Sequence, residues 1–337
     1  MATIRVDPGD GQKVLDSARP GDRIELNGTH GRLTVTKGGQ EDRFVEVVAG
    51  SGGGTVDAAG VIPGVAVVKV SAPRVYLGGG LLITNSAPMG GPLHPTKGTE
   101  EPYRGPGVFS QASKLVCEDL RVTRCGHGLL LRAADLILRK LYVGENGCNQ
   151  LEHGLYINSA GTGGGMICAN NIFHGSSGDN IHIAPNTSSL PLVRLSVSHN
   201  LCTEHGARVA TPRTVVGILL AGKNTTLYDD IAFIENEVAQ LASYPANKQF
   251  GLMVAPSEVG KCERVTLLDN VITTKRPLSI DRSRWGLVTE VGNSWQPPTD
   301  PAPVPLPVPP LPPPPPTDRR YEAFRARVAD LLREFPP

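Results

Sequence analysis

The chain has 337 residues, 39% hydrophobic and 19% charged, so it can build a core and is not disordered throughout. Glycine (39) and proline (30) are abundant and aromatics reach only 5%, which favours short strands and tight turns over long helices. A formal net charge of +1 without a basic stripe argues against nucleic acid, and no run is long and apolar enough for a membrane span.

The opening, MATIRVDPGDGQKVLD, lacks the charged and apolar regions of a secretory signal. The expected location is therefore the cytoplasm of the producing cell or a virion, with release by lysis. The next segment predicts a short helix from Val14 to Ala18, followed by strands. Beyond it a pattern recurs: a small residue, then a short apolar strand. It starts at Gly107, Gly128, Gly154, Asn180, Gly217, Gly251 and Pro277, at intervals of 21, 26, 26, 37, 34 and 26 residues. Between these lie second strands ending in a polar residue: Asp119, Lys140, Asn171, Asn200, Asn236 and Asn270, with an earlier copy ending at Gly80 and a later one at Asn293. Within them alternation has period two, so Met166/Cys168, Leu195/Val197, Ile231/Phe233 and Val265/Leu267 point inward.

A repeat this short cannot bury its own apolar face; stacked neighbours can. The pattern predicts an all-β fold, a single-stranded right-handed parallel β-helix over residues 1–295, with an N-terminal capping helix. The terminal Asn of each coil suits a stacked turn, because it tolerates left-handed backbone and its amide can bond those above and below. A doubly wound α/β fold fits worse, since no amphipathic helix separates the strands. The amino-terminal elements ARPGDRIEL, GTHG and VEVVAG ahead of VDAAG resemble the opening of pectin-lyase-like right-handed parallel β-helices. With the coils, the resemblance spans about residues 3 to 295 and implies this fold. It leaves activity open, because the fold hosts lyases, hydrolases, epimerases and catalytically silent spikes.

Residues 296–317 form a proline-rich arm, expected as polyproline II of roughly 70 Å at about 3.1 Å per residue. Residues 318–337 then predict an amphipathic docking helix, with Asp318 as N-cap and Tyr321, Phe324, Val328, Leu331, Leu332 and Phe335 on one face.

Stacking places His127, His153 and Asp179 in one column, just ahead of the strands. The outward column is Phe109, Leu130, Tyr156, His182, Leu219, Met253 and Ser279. His127, His153, Asp179, His182 and Tyr156 therefore become candidate catalytic residues: a His beside a carboxylate can move protons near neutral pH, and a Tyr can stack on a sugar or donate its hydroxyl. Phe109, Leu130, Arg132, Asn158, Leu219 and Met253 are candidate substrate-binding residues, with Arg132, Arg139 and Lys140 as outward bases. The plainer alternative is that these histidines are solvated turn positions. A divalent metal on His127, His153 and Asp179 fits by residue type but not by spacing, so no metal and no cofactor is expected. GILLAGK, Gly217 to Lys223, matches a phosphate loop in spacing only, since its middle is a strand and no helix follows. The six cysteines contain no C-x-x-C pair and are expected as reduced thiols.

No segment matches the Lys and Arg motifs of lyases of this superfamily, and no paired carboxylates suggest a glycoside hydrolase. The expectation is thus a structural or adhesive protein of a bacteriophage virion, such as a tail spike. It would be a homo-oligomer or attached to other virion proteins through its C-terminal arm, and would bind surface polysaccharide. The alternative is a polysaccharide lyase, or a related carbohydrate-active enzyme, acting on an acidic glycan.

Overall fold

The computed structural model describes residues 2–298, apart from 42, 61–63, 87–103, 133–134, 148–150, 159–164, 186–190, 208–213, 223–226 and 257–260. The docking-helix residues Tyr321, Phe324, Val328, Leu331, Leu332 and Phe335 and the proline-rich arm beyond residue 298 lie outside the described residues, as does Cys148.

Among the described residues, parallel strands form two long sheets of 16 and 9 strands. Each coil contributes a strand to both, and the crossovers wind right-handed, as parallel connections of L-residues do. The fold is a right-handed parallel β-helix. The larger sheet bends along a line of left-handed residues, Asp119 (φ 53), Lys140 (φ 53), Asn170 (φ 57), His199 (φ 51), Glu235 (φ 51) and Asp269 (φ 50), so each coil has three faces. The inward residues expected from period-two alternation are all buried: Met166, Cys168, Leu195, Val197, Ile231, Phe233, Val265 and Leu267.

The terminal asparagines form a ladder. Nδ2 of Asn171 donates to Oδ1 of Asn200 (2.9 Å), Asn200 to Asn236 (3.0 Å), Asn236 to Asn270 (2.9 Å) and Asn270 to Asn293 (2.8 Å). Each amide also bonds a backbone carbonyl, as Asn236 does at Val197 (2.8 Å). The left-handed residue is the one before each ladder asparagine, not the asparagine itself. That turn swings the next side chain inward; the amides of Asn171, Asn200, Asn236 and Asn270 are buried there and must be satisfied. Asp119 and Lys140 belong to the left-handed line; the position of Asn171 is held in those coils by Leu120 and Leu141.

The recurring glycine marks close approach. A Cβ at Gly154 would lie 2.7 Å from the Asn180 carbonyl oxygen and 2.8 Å from Ser176 Oγ. At Gly107, Gly128, Gly217 and Gly251 it would collide with Val122, Val143, Val238 and Ile272. These residues stack in one column, Val122–Val143–Phe173–Cys202–Val238–Ile272. Asn180 replaces glycine in the coil where that column narrows to Cys202, which explains how a side chain fits there.

The capping helix runs Gly11–Asp16, a little earlier than the sequence suggests, with Leu15 fully buried against the first coil. Val14 packs at the core's edge, and the chain leaves the helix before Ala18, which is itself buried. Among the described residues no helix is long and apolar enough to cross a membrane. Cys117, Cys125, Cys168, Cys202 and Cys262 are buried free thiols, and burial pushes Cys117 and Cys168 up to about 12.

Candidate active site

The smaller sheet carries the site. Its outward column runs Thr34, Lys69, Phe109, Leu130, Tyr156, His182, Leu219, Met253 and Ser279, each paired in register with the next. Just ahead, Gly128 N donates to the His153 carbonyl and Gly154 N to that of Asp179, so His127, His153 and Asp179 also occupy successive coils. Period-two alternation turns Tyr156 and His182 outward between buried neighbours: Leu155 and Ile157, and Ile181 and Ile183.

These side chains meet. The His153 ring lies 4.4 Å from that of His182 and 5.6 Å from that of His127, and the Tyr156 ring is 4.9 Å from His182, 5.3 Å from His153 and 5.5 Å from His127. Hydrogen bonds fix the protonation pattern. Nδ1 of His127 accepts the His153 backbone N–H (3.0 Å), and Nδ1 of His153 accepts that of Asp179 (3.0 Å), so both neutral rings carry their proton on Nε2. Asp179 is buried; its Oδ1 accepts the Val216 N–H (2.6 Å) and its Oδ2 faces Nδ1 of His182 at 2.7 Å. The carboxylate can only accept there, so His182 donates from Nδ1, and in the neutral ring the lone pair lies on Nε2. Asp179 Oδ2 also lies 3.5 Å from His153 Nδ1, but that nitrogen is already engaged as an acceptor, so the carboxylate serves His182. Burial is the main cause that pushes His127 down to about 3, with the Arg132 charge adding to it, and this ring stays neutral.

Candidate ligand atoms of His153, Asp179 and His182 lie within 4.8 Å of one another. His153 Nδ1 is engaged as an acceptor and His182 Nδ1 as a donor, so a cation here would meet the Nε2 atoms. The Asp179–His182 hydrogen bond is the arrangement that proton transfer at Nε2 needs.

A groove of about 970 Å³ surrounds these residues, and Arg32, Lys69, Arg104 and Arg132 line it. Asp179 is the single carboxylate among its described lining residues. Among the described residues none of the four bases pairs with a carboxylate, whereas Arg23, Arg139, Arg264 and Arg282 elsewhere each do. Arg32 bonds the carbonyls of Val65 (2.6 Å) and Gly60 (2.7 Å), and Arg132 lies 5.9 Å from the Phe109 ring centre. Nη1 of Arg104 is buried without a partner.

Of the expected binding residues, Phe109, Leu130, Arg132, Asn158 and Leu219 line the groove, and Met253, one coil further on, does not. Arg139 and Lys140 sit on the larger sheet beside Glu118, at 2.8 and 3.9 Å, away from the groove. Glu152 is buried and accepts the Arg104 backbone N–H (2.9 Å), while His174 bonds Thr203 on another face. Sequence reasoning missed Arg32, Lys69 and Arg104. For Lys69 the signal was present: VKV is one more copy of the short strand, in register with Val108–Ser110.

No protein-family model and no curated protein sequence matches the chain. Solved structures do. The crystal structure of an alginate lyase from Paenibacillus sp. strain FPU-7 superposes with a TM-score of 0.59 at 16% identity, over 89% of this chain and 96% of that one. A pectin methylesterase in complex with a hexasaccharide gives 0.41 at 10% identity (89% and 94% covered), and the Dettilon tailspike protein 0.37 at 12% (87% and 62% covered). The likeness to the first agrees with the strand topology, a right-handed parallel β-helix fold.

Proposed function

We propose that the chain is a polysaccharide lyase that cleaves an acidic, uronate-containing glycan by β-elimination. The observation that carries this is the Asp179–His182 hydrogen bond, which leaves the Nε2 lone pair of His182 beside Tyr156 in a groove whose bases have no carboxylate partner among the described residues. In this reading Nε2 of His182 takes the proton from C5 of a uronate. The C5–H electron pair becomes the C4=C5 double bond, and the C4–O bond breaks with its pair leaving on oxygen. The Tyr156 hydroxyl protonates that oxygen, producing a new free chain end. Arg132 supplies positive charge for the carboxylate of the reacting unit, whose electron demand makes the C5 proton removable. Phe109 and Leu130 offer an apolar floor for sugar faces.

Alginate belongs among the substrates to try, because the similar fold described above is that of an alginate lyase. Incubating the protein with alginate, polygalacturonate and hyaluronan, and following the ultraviolet absorbance of an unsaturated uronate, tests the proposal. Absorbance that rises with the wild type and fails to rise with His182→Ala supports it; no rise on any substrate removes it. The adhesive reading rests on anchoring through residues 318–337, which lie outside the described residues.

A further inference from the structure

The reacting groups lie near one end of the groove. On the amino-terminal side the lining continues through the coils of Tyr156, Leu130, Phe109, Lys69 and Thr34; on the other it reaches Leu219 and stops short of Met253. At about 4.8 Å per coil, five register steps separate Thr34 from His182, roughly 24 Å, against one step of about 5 Å from His182 to Leu219. The charges follow the same asymmetry. Arg32, Lys69, Arg104 and Arg132 all line the longer arm. Past Asp179 the neighbouring column runs Val216, Phe250 and Arg276, and Arg276 stacks on the Phe250 ring at 4.8 Å. Among the described residues the short arm therefore offers Thr214 and Leu219 and no lining base.

A pyranose unit of a 4-linked glycan advances by about the height of one coil. Resting on the lyase reading of the groove, we infer that the protein cuts from one end of its substrate: about four anionic units lie along the long arm, about one unit passes His182 toward Leu219, and each elimination releases a product of one or two units. Lys69 and Arg104 are then binding residues for units remote from the scissile bond. They raise affinity for long chains without touching the reacting atoms.

Two measurements test this. The first follows product size and viscosity from the earliest times with alginate or polygalacturonate. One- and two-unit products from the outset, with viscosity falling slowly, are expected; a spread of intermediate lengths with rapid loss of viscosity overturns the inference. The second measures calorimetric binding of alginate and polygalacturonate oligomers to the Tyr156→Phe protein. Affinity should climb from dimer to pentamer, and Lys69→Ala should lower pentamer affinity about fivefold at low salt while leaving the dimer unchanged, since Lys69 is exposed and its loss disturbs no packing. This second arm does not require turnover. A staircase of affinity without any elimination by the wild type would sink the lyase reading and leave the one-sided subsites standing. Equal affinity for dimer and pentamer, or no binding of either series, overturns the inference itself.

Discussion

Replacing Asp179 by Asn tests the proton-transfer geometry most sharply. The carboxylate holds two hydrogen bonds, to Val216 N (2.6 Å) and His182 Nδ1 (2.7 Å). An amide of the same shape keeps its oxygen on the Val216 N–H, so its NH2 group faces His182. That group can only donate, which forces His182 into the Nε2–H tautomer and removes the base lone pair. General-base catalysis contributes typically about 10²–10⁴ in rate, so kcat should fall about 10³-fold while KM moves little, because the groove's bases are untouched. Exchanging a charged for a neutral hydrogen bond weakens a buried link of about 1.5–3 kcal/mol, which shifts the melting temperature but leaves a protein with several coils on either side folded. The assay is initial rate against substrate concentration, with the fold checked by circular dichroism. Activity within about threefold of wild type in a folded Asp179→Asn protein refutes the assignment, since a missing base cannot cost so little.

Other outcomes follow from the same geometry. Gly251→Ala drives a Cβ into Ile272 and should destabilise by about 1–3 kcal/mol in urea unfolding, with part recovered when Ile272 is also cut to Ala. Asn236→Ala strips partners from Asn200 N, Val197 O and the Asn270 amide, so it should cost several kcal/mol at about 1–3 per buried orphan; Asn293→Ala, at the half-exposed end of the ladder, should cost less. Burial pushes His127 down to about 3 and His205 down to about 4, from 6.5. The unfolded chain therefore binds more protons than the folded one across that window, and stability should fall as pH drops from 6.5 toward 4. A denaturation midpoint that is flat over this range contradicts the burial of these rings.

The coils were legible because each repeats the same local demand. Gly154 or Gly251 must be small for backbone to pass a Val or Ile, and the alternation of Leu195 and Val197 admits one inward face. Register then followed from counting, and it brought His127, His153, Asp179, His182 and Tyr156 together. What the sequence blurred were offsets of one residue. Asp119 and Lys140 look like equivalents of the ladder asparagines, yet they take the left-handed turn, and only the pairing of Arg139 with Glu118 and Ala169 reveals it. The charge of the groove was hidden for a different reason. Lys69 and Phe109 are neighbours in the sheet, but residues 87–103 intervene between their strands and break the period. Arg139 and Lys140, attractive by proximity in sequence, turn to Glu118 on another face.

Digestion in isotopically labelled water, with products weighed by mass spectrometry, probes the central claim most directly. Elimination at the His182–Tyr156 pair predicts a product lighter by one water than its hydrolytic counterpart, with no heavy oxygen at the newly exposed chain end, and its disappearance in His182→Ala. Heavy oxygen incorporated at that end, or the same product from His182→Ala, would contradict it.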